Sequence, residues 1–162
     1  MGRTLNVLFV CTGNTCRSVL AQAFLEEMGR EFVEKGRPVE VSSAGVSTID
    51  GLLASEDALS VLQGYGIDFS KHRSSRVTPE LVQQAHYIFA MTHGQKDYLL
   101  HHFPEAEEKL WLLNEYAEGS SKEISDPYGE GQAAYRRIAD EIREALAKIV
   151  ARWDSDEKKG RE

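Results

Sequence analysis

Two consecutive stretches near the N-terminus decide the fold: Leu5-Asn6-Val7-Leu8-Phe9-Val10 and Cys11-Thr12-Gly13-Asn14-Thr15-Cys16-Arg17-Ser18. The first stretch is mostly apolar and rich in residues that favour strands, which is typical of a strand buried on both faces. From Ser18 onward the apolar residues recur at helical spacing, at Leu20, Ala21, Phe24, Leu25 and Met28, with Ser18 as the opening residue. These residues therefore predict a strand, a short loop and a helix.

Strands and helices alternate along the rest of the chain. Apolar runs predict further strands at 39–43, 87–91 and 110–113. Helical spacing predicts a helix opened by Ser55, one over about 93–103, and a closing helix over 135–153. This order implies an α/β fold of three layers, with helices on both faces of a four-stranded parallel sheet. Such sheets bind ligands at the carboxyl ends of their strands, where Cys11 falls.

Composition and charge narrow the class of protein. With 162 residues, the chain fits a single domain, expected at 1–153, with a charged and frayed tail at 154–162. The net charge of −7 disfavours a nucleic acid or an acidic membrane as partner. Two cysteines make no disulfide framework, and the apolar stretch from Leu5 is too short for a signal peptide or a membrane span. We therefore expect a cytoplasmic enzyme or binding domain.

The loop 11–18 has the residues that capture of an anion requires. A short loop that leads into a helix can turn several backbone amides inward, and Gly13 permits the backbone angles of such a nest. Arg17 can hold two phosphoryl oxygens with its planar fork. The same positive potential favours the thiolate of Cys11, to which Ser18 can donate a hydrogen bond. The alternative is that both cysteines are small core residues and Arg17 is a surface charge.

Asp126, in Ser125-Asp126-Pro127-Tyr128-Gly129, is the candidate proton donor. Attack by a thiolate on phosphorus requires an acid that protonates the leaving group and then a base that activates water. Asp126 lies in a loop before the last helix, where Pro127 restricts the backbone. From the residues alone, an ordinary Asp-Pro turn is an equally good interpretation.

The order of these motifs resembles the low-molecular-weight protein tyrosine phosphatase family over nearly the whole chain. The resemblance implies Cys11 as nucleophile, Arg17 as the ligand of the phosphate and the transition state, and Asp126 as general acid and base. It implies that the loop residues Thr12, Gly13, Asn14, Thr15, Cys16 and Ser18 bind the phosphate, with Tyr128 as a wall of the cleft. It further implies that Ser43 and His72 join Asn14 and Ser18 in a hydrogen-bond network that shapes the loop.

Thr15 separates two branches of this family. Tyrosine phosphatases usually carry a larger apolar residue at that point, whereas the loop Cys-Thr-Gly-Asn-Thr-Cys-Arg-Ser resembles that of bacterial protein-arginine phosphatases. A threonine could accommodate and hydrogen-bond a guanidinium, and Asp126 could pair with the same group. The resemblance thus favours hydrolysis of phosphoarginine in phosphorylated proteins, with phosphotyrosine as the alternative if Thr15 is a neutral substitution.

Three other hypotheses follow from the same residues. One class of arsenate reductase shares this fold and loop, and its chemistry resembles a relay through two further cysteines. This chain has no cysteine beyond Cys11 and Cys16, which counts against arsenate reduction. A non-catalytic phosphate-binding module would need neither a reactive thiol nor Asp126. Cys16 is close enough in sequence to form a reversible disulfide with Cys11 that protects the nucleophile, as the pair does in related phosphatases. We expect no cofactor. We also expect no metal site, because His101 and His102 are neighbours that point in different directions on a helix.

Overall fold

The computed structural model describes residues 4–34 and 36–160. Within this part of the chain, four strands form one parallel sheet in the order β2-β1-β3-β4. The strands are β1 (Leu5–Cys11), β2 (Val39–Gly45), β3 (Tyr87–Ala90) and β4 (Leu110–Leu112). The described helices are α1 (Arg17–Met28), α2 (Arg30–Glu34), α3 (Glu56–Gly64), α4 (Pro79–Gln84), α5 (His93–His102), α6 (Leu113–Glu118) and α7 (Gln132–Gly160), with a 3₁₀ helix at Pro104–Lys109. The α/β fold predicted from the sequence is confirmed.

The central strand β1 divides the hydrophobic core into two layers. Its side chains alternate between the faces of the sheet, so Val7 and Phe9 join one cluster while Leu8 and Val10 join the other. Helices α1, α3 and α7 pack on the first face, and α4 and α5 cover the second. Because both faces are covered, β1 is buried from Val7 to Cys11 and delivers Cys11 to the carboxyl edge of the sheet.

The start of α1 differs from the prediction. The helix begins at Arg17, and its N-cap is Cys16, which makes no side-chain capping bond. Ser18 does not cap the helix because its hydroxyl bonds Cys11 and Asn14 instead. Ser18 therefore lies in the first turn of α1, while its side chain bonds residues of the loop.

Three short helices and the ends of α7 also differ from what periodicity predicts. Helices α2, α4 and α6 have five or six residues each, which is too short for an apolar period to be visible in the sequence. Helix α7 begins at Gln132 and continues through the predicted tail as far as Gly160, since residues 154–159 contain no helix breaker. Residues 1–3 and 161–162, which fall in the predicted domain and tail, lie outside the described residues.

None of the helices in the described part of the chain combines the length and the apolar character that crossing a lipid bilayer requires.

Candidate active site

The thiol of Cys11 lies at the centre of the loop that joins β1 to α1. Its sulfur is 2.9 Å from the Ser18 hydroxyl and accepts a hydrogen bond of 3.3 Å from the Asn14 amide. The Asn14 side chain donates to the Ser18 oxygen at 2.8 Å, which leaves the serine hydrogen free for the sulfur. Two hydrogen-bond donors are thus directed at one buried sulfur, an arrangement that suits a sulfur nucleophile and leaving group.

The carbonyl groups of the loop are bonded from outside. Val46 and Ser47 donate their amides to the carbonyls of Cys11 and Thr12, each at 3.0 Å, and Ser55 donates to Thr15 at 2.9 Å. Among the described residues, none accepts a hydrogen bond from five loop amides, those of Gly13, Thr15, Cys16, Arg17 and Ser18. A loop whose carbonyls face outward turns its amides inward, so these donors are available to an anion.

His72 supports the loop at Asn14. Its Nε2 lies 2.9 Å from the Asn14 carbonyl, and the ring stacks on Phe69. Burial lowers the pKa of His72 below its ordinary value, so the ring is neutral at pH 7 and the nitrogen that faces the carbonyl donates its hydrogen. His72 thus contacts the loop at the residue where the family resemblance implies that it supports it.

The left-handed residue of the loop is Asn14, with φ of 56°, and not Gly13 as the sequence predicts. Asparagine tolerates this region better than most residues with a side chain. Here its side chain also adds bonds, since its oxygen accepts from the Ser75 amide at 2.9 Å while its nitrogen bonds Ser18. Asn14 is fully buried, so one residue supplies both the turn and its anchoring.

Gly45 allows β2 to pass directly against the loop. A Cβ at this position would lie 2.7 Å from the Thr12 carbonyl oxygen and 3.2 Å from the Asn14 nitrogen. The strand pairing that places Gly45 level with Cys11 leaves no room for a side chain. The close approach of strand and loop therefore requires glycine.

Ser43 does not join the network that the resemblance implies. Its hydroxyl donates to Gln22 Oε1 of α1 at 2.5 Å. The register explains the difference, because Ser43 pairs with Phe9 and thus lies two residues before the level of Cys11. Asn14, Ser18 and His72 are brought together as expected, and Ser43 stabilises the contact between β2 and α1.

Arg17 and Asp126 meet across the mouth of the loop. The Arg17 side chain is buried, donates from Nη1 to the Ile124 carbonyl at 2.9 Å, and places Nη2 at 3.8 Å from Asp126 Oδ2. The Asp126 side chain is 54% exposed, and its other oxygen accepts from the Tyr128 amide at 3.1 Å. The carboxyl group is thus held beside the arginine while it remains open to solvent.

A pocket of about 190 Å³ lies over this arrangement. It is lined by Cys11, Thr12, Gly13, Thr15, Cys16, Arg17, Asp126 and Tyr128. Eight of the residues predicted from the sequence therefore line one small cavity, with a thiol at its base and a carboxyl group at its rim. A cavity of this kind suits one phosphoryl group and the first atoms of its leaving group.

Two functional contacts were not visible in the sequence. Gln95 of α5 donates to the Thr12 hydroxyl at 3.1 Å, and the Tyr135 hydroxyl of α7 lies 3.1 Å from the Cys16 sulfur. Gln95 also accepts from the amides of Met91 and Thr92 as part of a capping box. In the sequence, that local role accounts for the glutamine and gives no sign of its contact with Thr12. The one available signal was a tyrosine on the buried face of a predicted helix, because a buried phenol usually has a polar partner.

This chain is similar to known proteins over most of its length. The family model described as "Low molecular weight phosphotyrosine protein phosphatase" matches residues 6–159. The protein-arginine-phosphatase of Geobacillus stearothermophilus is 39% identical over 152 residues, which are 93% of this chain and 97% of that protein. The low molecular weight protein-tyrosine-phosphatase Ptp of Acinetobacter johnsonii is 32% identical and covers 91% of this chain and 94% of its own.

A solved structure adds chemical detail. It is a cysteine-to-serine mutant of the YwlE arginine phosphatase with a phosphorylated active-site serine. It superimposes with a TM-score of 0.88 at 32% identity and covers 95% of this chain and 99% of its own. The match of the family model over nearly the whole chain agrees with the predicted resemblance. This chain belongs to the low molecular weight phosphotyrosine protein phosphatase family.

Proposed function

We propose that this chain hydrolyses phosphoarginine in proteins through a phosphocysteine at Cys11. The observation that carries the proposal is that Cys11, Arg17, Asp126 and the polar side chain of Thr15 line one pocket. A relative that covers 93% of the chain is named a protein-arginine-phosphatase, which supports the same substrate class.

The first chemical step transfers the phosphoryl group to the sulfur. The loop amides and the fork of Arg17 hold the three terminal oxygens, and the Cys11 thiolate attacks phosphorus opposite the guanidinium nitrogen. The S–P bond forms while the P–N bond breaks, and the electron pair of that bond stays on nitrogen. Asp126 gives its proton to this nitrogen, so arginine leaves as a stable cation.

The second step releases phosphate. Asp126, now a carboxylate, accepts a proton from a water molecule whose oxygen attacks phosphorus. The S–P bond breaks, inorganic phosphate forms, and the pair of electrons returns to the sulfur. The leaving thiolate receives hydrogen bonds from Ser18 and from the Asn14 amide, the two groups that lie at 2.9 and 3.3 Å from it. These steps use only water and the side chains and backbone amides of this chain.

The preference for phosphoarginine rests on the polarity of the pocket. A guanidinium presents N–H donors next to the phosphoryl group, and both the Thr15 hydroxyl and the carbonyl oxygen of the protonated Asp126 carboxyl group can accept from them. Phosphotyrosine is the second candidate, and one observation favours it: Tyr128 is 72% exposed beside the pocket, where it could pack against a phenyl ring.

A direct comparison of rates separates the two candidates. We would measure kcat/KM for two peptides of one sequence, one with phosphoarginine and one with phosphotyrosine. We expect the phosphoarginine peptide to react faster, and Thr15→Ile to shift the ratio towards phosphotyrosine. Equal or faster turnover of phosphotyrosine by the unaltered chain would contradict the proposal. In Cys11→Ser, turnover should be lost while phosphate binding is retained.

The proposal also includes the setting of the enzyme. Its substrates are phosphorylated proteins, and its place is the cytoplasm, where thiols stay reduced. Both cysteines are free thiols, which is the state that attack by Cys11 requires. The protective disulfide between Cys11 and Cys16 remains a prediction.

A further inference from the structure

A cluster of three polar side chains lies where the catalytic loop meets α3 and α7, with Cys16 and Tyr135 buried and Ser55 partly buried. Tyr135, in the first turn of α7, is 1% exposed, and its hydroxyl is 3.1 Å from the sulfur of Cys16. The Cys16 thiol donates to the Ser55 hydroxyl at 3.5 Å. The cluster therefore joins α7, the start of α3 and the catalytic loop.

The directions of these bonds follow from the number of hydrogens. The Cys16 thiol has one hydrogen, and it points to Ser55. The sulfur must then accept the hydrogen of Tyr135, because no second hydrogen is available on the thiol. Burial and the hydrogen bond to Cys16 raise the pKa of Tyr135 above its ordinary value, so the phenol keeps its hydrogen at neutral pH.

The same sulfur orients the side chain of Thr15. The Thr15 oxygen lies 3.7 Å from the Cys16 sulfur. Since the thiol hydrogen is used by Ser55, the Thr15 hydroxyl is the donor in this contact and its oxygen lone pairs stay available. Thr15 also lines the catalytic pocket, so these lone pairs can accept from a group that donates hydrogens there.

We propose that Tyr135 is a positioning residue for substrate choice. Because Tyr135 donates to the Cys16 sulfur, it cannot accept the thiol hydrogen, which is thereby held on Ser55, and the Thr15 hydroxyl stays an acceptor towards the pocket. A guanidinium leaving group has N–H donors that can use this acceptor, whereas the bridging oxygen and ring of phosphotyrosine have none. The inference rests on the proposed function, since it explains how the chain selects phosphoarginine.

The test is the ratio of kcat/KM for phosphoarginine and phosphotyrosine peptides of one sequence in Tyr135→Phe. We expect kcat/KM for phosphoarginine to fall about five- to tenfold, the range for loss of one buried hydrogen bond. Turnover of phosphotyrosine should change little, because that substrate does not use the acceptor. Loss of packing alone would lower both rates together, so the ratio distinguishes positioning from stability.

Tyr116→Phe is the matched control. Tyr116 is also a buried tyrosine, and its hydroxyl accepts from the Trp153 indole at 3.0 Å, away from the pocket. We expect its loss to lower Tm while the ratio stays that of the unaltered chain. If Tyr135→Phe does not fold, Cys16→Ala replaces it, since removal of the sulfur breaks the same path and should lower the ratio similarly.

The outcomes separate the two proposals. An unaltered chain that prefers phosphotyrosine overturns the proposed function before any variant is made. An unaltered chain that prefers phosphoarginine, with the ratio unchanged in Tyr135→Phe, overturns the role of Tyr135 alone. A double variant Tyr135→Phe/Cys16→Ala with a ratio no lower than that of Cys16→Ala would support one shared path, and additive losses would contradict it.

Discussion

Asp126 has the exposure and the contacts that a proton donor needs. Its carboxyl group is open to solvent, is fixed by the Tyr128 amide, and lies 3.8 Å from Arg17. In Asp126→Asn, we expect kcat to fall about 10²- to 10⁴-fold, because neither proton transfer can occur. Inorganic phosphate should bind at least as tightly, since Arg17 no longer faces a carboxylate.

The measurement is kcat together with the inhibition constant of phosphate. Asp140→Asn is the control, because Asp140 is an exposed aspartate of α7 whose partner is the Tyr65 hydroxyl. It should leave both values unchanged. A value of kcat in Asp126→Asn close to that of the unaltered chain would remove Asp126 from the mechanism.

His72 makes the stability of the loop depend on pH. Burial lowers the pKa of this ring in the folded state below the ordinary value of 6.5, so protonation favours the unfolded chain. The contribution of His72 to the free energy of unfolding is then fully present above about pH 6.5. It is lost as the pH decreases towards the lower pKa of the folded state. In His72→Gln, we expect the free energy of unfolding to change less between pH 7 and pH 5.5.

Denaturant titrations at both pH values would check this expectation. His101→Gln, a change at an exposed position of α5, serves as the control and should keep the pH dependence of the unaltered chain. If the free energy of unfolding changes with pH equally in His72→Gln and in the unaltered chain, His72 does not contribute to the pH dependence of stability.

The contact between β2 and the loop is the most restrictive contact between elements at the site. In Gly45→Ala, the new Cβ would lie 2.7 Å from a backbone oxygen of the loop, so strand and loop must separate. We expect a loss of stability of about 1–3 kcal/mol, and a fall in kcat/KM of about 10²-fold for a displacement on the order of 1 Å.

Gly64→Ala is the matched control, because a Cβ at Gly64 meets nothing within 4 Å. This glycine lies in α3, where alanine is the better helix former, so the change should be neutral or stabilising. Thermal unfolding and steady-state kinetics measure both effects. Normal activity in Gly45→Ala would show that the loop tolerates the displacement.

The sequence predicted those elements whose signal is local. The strand β1, the loop and the start of α1 are contiguous, so their pattern and their chemistry could be read together. The contacts from Gln95 to Thr12 and from Tyr135 to Cys16 join residues 83 and 119 positions apart, and neither periodicity nor a short motif reports such pairs. Ser43 was misplaced because a motif gives no strand register.

At the scale of the whole molecule, a site for one anion lies on an acidic protein. The net charge of −7 disfavours a polyanion such as nucleic acid as a partner. The loop amides and Arg17 provide a local site for a single phosphoryl group in our proposal. Binding of phosphate to the folded state should therefore stabilise the entire domain. This effect could be predicted only after the loop was seen as an assembled site.

We expect phosphate at about 100 times its dissociation constant to add about 2.7 kcal/mol to the free energy of unfolding. For a domain of this size, that amounts to a rise in Tm of roughly 5 to 10 °C. The control is chloride at equal ionic strength, which should give a much smaller shift. An equal shift in Arg17→Ala would mean that phosphate binds elsewhere.

In the proposed reaction, Cys11 takes the phosphoryl group from phosphoarginine. The most direct measurement is a rapid quench of the unaltered enzyme with a phosphoarginine peptide within the first turnover, followed by tandem mass spectrometry under conditions that preserve the P–S bond. We predict one phosphoryl group on the enzyme, at Cys11. Release of phosphate from the peptide in the first turnover, with no phosphoryl group on Cys11, would contradict the account.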